Sequence, residues 1–123
     1  MAVQRINPAS LEQSPYYSQA TLVPPGASML YIGGQNAVTA AGAWIGLGDE
    51  AAQTAQAMKN VMACLEAVGA GVADLVSLEI KVVEGVDLAL CQRAASGYLD
   101  LNSLPLISVS IVEQLARRGA LVE

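Results

Sequence analysis

The sequence contains no histidine. That absence removes the commonest general base and metal ligand together. Zinc sites and nucleophile pairs of the Ser-His or Cys-His kind go with it. Acid–base work must fall to Tyr, Glu, Asp, Lys or water, and no metal or cofactor is expected. Charge is scarce too: charged residues are 14% of the 123-residue chain, against 54% hydrophobic. So lean a charged fraction leaves apolar surface over for a subunit interface. Lys and Arg number six, scattered, and the formal net charge is -5. Phosphate-backbone binding wants clustered cations, so nucleic acid is not an expected partner. The same acidity disfavours an anionic membrane surface.

Cysteine is limited to Cys64 and Cys91, each within a predicted helix. They read as buried free thiols rather than a disulfide. Long apolar runs are missing: Asp49, Glu50, Lys59, Glu66 and Asp74 interrupt the middle of the chain, so no membrane span is expected. Residues Met1 to Pro8 lack the apolar core of a signal peptide, which points to a cytoplasmic protein. The length suits one domain over 1–123, large enough to bury about two-thirds of its unfolded surface.

What is present reads as alternating elements. Val3–Asn7 and Gln19–Val23 are strand candidates, separated by a polar loop over Ser10–Ser18. Pro24-Pro25-Gly26 makes a turn. Met29-Leu30-Tyr31-Ile32 reads as a buried strand running into Gly33-Gly34-Gln35, and Val38–Ile45 as a loop or short hairpin. Asp49 caps the clearest helix; Ala55, Met58, Met62 and Leu65 form its apolar stripe and Gly69 ends it. Leu75–Val83 alternates, with Val76, Leu78, Ile80 and Val82 on one face and Ser77, Glu79 and Lys81 on the other. Asp87 caps a second helix with Leu88, Cys91, Ala95 and Tyr98 on one side. Leu106–Val112 reads as a buried strand, and Ala120–Glu123 begins another. The order β-β-β-α-β-α-β-β predicts an α+β two-layer sandwich, two helices covering one face of a mixed sheet. Self-association would cover the other face.

Several segments, in order and at matching spacing, resemble the RidA family, also called YjgF or L-PSP endoribonuclease-like. These are Tyr17-Ser18-Gln19-Ala20, Ile32-Gly33-Gly34-Gln35, the helix from Asp49 with Gln53 and Asn60-Val61, Pro105 through Val112, and Leu121-Val122-Glu123. The resemblance spans nearly the whole chain. It implies a chorismate-mutase-like fold and a homotrimer with a central barrel and clefts between subunits. It also implies hydrolysis of reactive imines and enamines, with an arginine gripping the substrate carboxylate.

Carried over residue by residue, Tyr17 takes the place of the family's cleft tyrosine and Gly34 that of its backbone-donating glycine. Glu123 takes the place of its water-placing glutamate, allowing one residue of shift around Arg117-Arg118. Ile107 stands where the arginine belongs, Val109 at a small cysteine position, and Gln92 near an asparagine of the second helix. A carboxylate held by arginine gains two charged hydrogen bonds, each about 1.5–3 kcal/mol net. Ile107 supplies neither and would leave a buried carboxylate unpaired. Arg117 or Arg118 is the alternative source of a cation, and Trp44 either an interface residue or a cleft lid. The expected activity is therefore hydrolysis or deamination of a small imine or enamine that lacks a carboxylate, at an inter-subunit cleft. The alternative is a non-catalytic trimer binding an apolar small molecule there.

Overall fold

The computed structural model describes residues 3–123. The elements are β1 (Gln4–Ile6), β2 (Ala20–Leu22), α1 (Glu50–Glu66), a 3-10 turn (Val72–Asp74), β3 (Ser77–Val83), α2 (Leu88–Ser96) and β4 (Leu106–Val112). Strands β1 and β2 pair antiparallel, Arg5 opposite Thr21. Strands β3 and β4 pair parallel, joined by α2 as a crossover, with Leu78 opposite Ile107 and Val82 opposite Ile111. Residues 121–123 lie antiparallel along the other edge of β3: Lys81 and Glu123 exchange both backbone hydrogen bonds at 2.9 Å, and Val83 N–H donates to Leu121 at 2.9 Å. The sheet around β3 is thus mixed, and the α+β class read from the sequence holds. Among the described residues no helix is long and apolar enough to cross a membrane.

Both helix starts follow from their caps. The Asp49 carboxylate accepts from Ala52 N–H, and that of Asp87 from Ala89 and Leu90 N–H. Past the end of α1, Gly69 at φ 71° donates to the Glu66 carbonyl and Ala70 N–H reaches back to Leu65. Those two bonds make a Schellman ending, the left-handed stop expected of that glycine. The buried side of α1 is turned from the expected stripe. Met58 and Leu65 are buried, but Gln53, Thr54 and Ala57 join them while Ala55 and Met62 are half-buried. A pattern search for apolar residues passes over Gln53, because a polar side chain goes inside only when its partners are built in. On α2, Cys91 and Ala95 are buried as expected and Leu88 is exposed, while Tyr98 falls in the turn after the helix and is half-buried. Val82, Cys91 and Val122 form the centre of the core, with Ile80 and Val86 packed on it.

Two expectations fail. Residues 29–32 form no ladder, and Met29, Leu30 and Tyr31 are 49%, 43% and 86% exposed. An apolar run becomes a strand only where a neighbour offers a free edge, and none of the described strands pairs with it. Strand β4 exists as expected but is not buried: Val109 and Ile111 are 52% and 61% exposed. In the single chain β4 has β3 on one side and nothing described on the other. The Val38–Ile45 segment does form a short hairpin, through an antiparallel bridge between Val38 and Trp44.

Candidate functional site

Glu123 is half-buried, its backbone pinned to Lys81 and its side chain laid against Gly34. A Cβ on Gly34 would sit 2.9, 3.0 and 3.1 Å from the Glu123 Cδ, Oε1 and Oε2 atoms. The carboxylate therefore occupies the space that glycine leaves, and it also accepts from Asn36 Nδ2 at 3.4 Å. The sequence places Gly34 and Glu123 at opposite ends of the chain; the structure brings them together. Both line a cavity of about 1070 Å3 that opens between residues 29–32 and β3, over Ala57, Met58, Val61 and Leu65 of α1.

Tyr17 belongs to a second cluster. It is half-buried, and the adjoining Ser18, itself buried, donates its N–H to the Pro105 carbonyl at 3.0 Å. Gln19 N–H is held by Asn7 Oδ1 at 2.9 Å. The tyrosine loop is thereby fixed at the entrance of β4, two residues before Ile107. Ile107 is half-buried and paired with Leu78, Val109 with Ile80, so the arginine's place is an apolar row. Neither Tyr17, Ile107, Val109 nor Gln92 lines the Gly34–Glu123 cavity. Gln92 is exposed on α2 and its described hydrogen bond is a carbonyl one, accepting from Ser96 Oγ at 2.7 Å. Within one chain Gly34 and Glu123 meet, the Tyr17 loop is tied to the residue two before Ile107, and Gln92 lies exposed on α2.

Arg117 does not replace the missing arginine here. Its guanidinium lies over the Trp44 ring at 5.5 Å, a cation–π contact that uses the charge on the loop beside α1. The indole also packs toward Gly119. Arg118 is exposed.

Three polar residues build this region in ways the sequence did not disclose: Gln53 and Asn60 stood out only as parts of a family segment, and Arg5 not at all. Gln53 is fully buried; its Nε2 donates to the Gly46 and Gly119 carbonyls at 3.2 and 3.0 Å, and its Oε1 accepts from Leu121 N–H at 2.8 Å. It ties α1 to the loop carrying Trp44 and to the strand carrying Glu123. Asn60 Nδ2 donates to the Asn36 and Val38 carbonyls at 2.9 and 3.1 Å. Arg5 bonds Thr21 Oγ1, Ser103 and the Ala73 and Leu75 carbonyls, clasping β1 to the loops before β3 and β4. Burial lowers the Arg5 pKa, and Asp100 and Asp74 oppose that shift. Among the described residues no three His, Cys, Asp or Glu side chains converge on a point. Burial also pushes the Cys91 thiol up, partly offset by a hydrogen bond with Thr54.

A family model described as Endoribonuclease L-PSP matches residues 8–123. Among solved structures, a protein of unknown function of the conserved Rid family from Yersinia pestis is 31% identical, covering 99% of this chain and 94% of its own at a TM-score of 0.85. A putative endoribonuclease from Thermotoga maritima is 23% identical, covering 89% and 88%, with a TM-score of 0.70. A YjgF-family protein from Neisseria meningitidis is 19% identical over 99% and 89%, with a TM-score of 0.66. No curated protein matches the chain.

Proposed function

The chain belongs to the endoribonuclease L-PSP family, also called Rid or YjgF, with its chorismate-mutase-like fold, and on that premise we propose that it hydrolyses a small neutral imine or enamine. The observation that carries this reading is the Glu123 carboxylate seated against Gly34, in a chain whose arginine position is held by the apolar Ile107. Glu123 takes a proton from water as the oxygen attacks the C=N carbon. Glu123 passes that proton to the nitrogen, giving a neutral carbinolamine. It then takes the hydroxyl proton and delivers it to the nitrogen as the C–N bond breaks, so the carbonyl forms, ammonia leaves and Glu123 is again ionised. Tyr17 and the Gly34 backbone orient the ligand. A homotrimer, which the resemblance implies, would bring the Tyr17 loop and Ile107 of one copy to a cleft with its neighbour.

The test is ammonia release, with wild type and Ile107→Arg assayed side by side. Wild type should turn over neutral imines and leave freshly generated 2-iminobutanoate untouched, while Ile107→Arg gains activity on the latter. Wild-type activity on 2-iminobutanoate, or inertness toward every neutral imine and enamine tried, would sink the reading.

The apolar cavity supports a second reading, a non-catalytic binder of an apolar small molecule. Native mass spectrometry and thermal-shift screening separate the two: a stabilising apolar ligand without turnover favours the binder. The ribonuclease in the family's description is disfavoured by the net charge of -5 and six scattered cations. No RNA binding is expected at low salt.

A further inference from the structure

We infer that Asn36 is a positioning residue for Glu123, and that Asn60 on α1 sets Asn36 in place. The inference rests on Glu123 being the working carboxylate, yet its test does not depend on turnover. Three carboxylate atoms lie at nearly one distance, 2.9 to 3.1 Å, from the point where a Gly34 Cβ would be. The plane of the carboxylate therefore lies flat over Gly34, which fixes its tilt but not its rotation within that plane. Rotation is fixed by the Asn36 Nδ2 donor on Oε2 at 3.4 Å. A carboxylate accepts only, so the amide must present its nitrogen there.

Asn36 is itself held from behind. Its backbone carbonyl accepts from Val38 N–H at 2.8 Å and from Asn60 Nδ2 at 2.9 Å, which uses both lone pairs and fixes the main chain from which the side-chain amide projects. Asn60 Nδ2 also donates to the Val38 carbonyl at 3.1 Å, and two facing carbonyls leave that amide a single sensible orientation. Gln56, one turn earlier on α1, donates to Asn60 Oδ1 at 3.0 Å. Ala37, between the two bonded carbonyls, is fully buried. The result is a relay in two parts: side-chain amides of α1 hold the backbone of residues 36–38, and the Asn36 side chain carries that placement to the carboxylate. Asn36 takes one acceptor site of Oε2, and none of the described hydrogen bonds falls on Oε1, the oxygen that would meet the attacking water. Pre-set orientation of this kind acts on the reacting geometry rather than on ligand affinity.

The test is carbon-13 NMR of the Glu123 side-chain carboxyl in the full chain, assigned with Glu123→Gln. Asn36→Leu removes the donor at similar size and should move the Glu123 resonance further than any other glutamate signal. Gln56→Leu, which touches neither Asn36 nor Glu123, should move it in the same direction by less. Gln35→Leu, beside Asn36 but bonded to the Gly33 carbonyl, should leave it in place. On the neutral imine, Asn36→Leu should lower kcat roughly tenfold or more with KM little changed. A Glu123 signal unmoved in folded Asn36→Leu overturns the inference, whatever the imine assay gives. A moved signal with no turnover by wild type supports the relay while removing the proposed reaction.

Discussion

At the scale of single residues, two glycines separate function from folding. At Gly34 the obstacle to a side chain is the free end of Glu123, which can swing away. Gly34→Ala should therefore melt close to wild type while displacing the carboxylate and removing imine hydrolysis. At Gly46 the obstacle is fixed: φ is +70°, the Ala52 Cβ would be 2.6 Å away and the Gln53 backbone nitrogen 3.2 Å. Nothing there can move without unwinding the first turn of α1. Gly46→Ala should cost about 2 kcal/mol or more in urea unfolding. Equal losses in the two variants would mean that Gly34 is structural and that its pairing with Glu123 carries no chemistry. Cys91 adds a pH dependence. Its folded pKa is raised, so the unfolded chain loses the thiol proton first. Its contribution is full below about pH 8.5, the ordinary thiol value, and is lost as pH rises through the folded value. Between pH 7 and 10 wild type should lose more stability than Cys91→Ala.

At the scale of elements, α1 organises the site through Gln53. Gln53→Leu keeps the volume but takes the described partner from the Gly119 carbonyl and the Leu121 N–H, while the Gly46 carbonyl keeps its 2.8 Å bond from Asp49 N–H. An unpaired buried donor or acceptor costs about 1–3 kcal/mol, and the half-buried Leu121 N–H is the group left without its partner away from open water, so a loss of about 1–3 kcal/mol is expected in urea titration. Retained stability would show that water replaces the amide. The same residue shows what a sequence can disclose. Elements with a local cause were legible: α1 and α2 from Asp49 and Asp87, the stop at Gly69, and β3 from its alternation. Residues 29–32 were not, since a strand is defined by a neighbour and apolar composition names none. Gly34, Tyr17 and Glu123 stood out by family resemblance, but their division into two clusters depends on which strands pair. Asn36 carried no pattern and Asn60 only its place in a family segment, because an amide gains meaning from the carbonyl or carboxylate it meets.

At the scale of the whole molecule, exposed apolar surface calls for a partner. Val109 and Ile111 stand 52% and 61% exposed on β4, and Leu22 and Tyr31 add 57% and 86% elsewhere. A chain with 14% charged residues has little with which to dissolve such surface as a monomer. Closed symmetry is the usual solution, and a homotrimer meeting through its sheets would cover β4 while placing Ile107 beside a neighbouring copy. Sedimentation velocity should then give three times the chain mass, and melting should rise with protein concentration because assembly stabilises the folded state by mass action. Ile111→Asp places a charge on the outer strand where the single chain leaves it in water, so the variant should fold. In the trimer that charge would be desolvated without a partner, a cost of several kcal/mol per buried ion. The variant should sediment as one chain and melt independently of concentration. It should also lose the imine activity, since the cleft needs two copies. A variant that remains trimeric would show that β4 faces solvent in the assembly and that Ile107 lines no cleft.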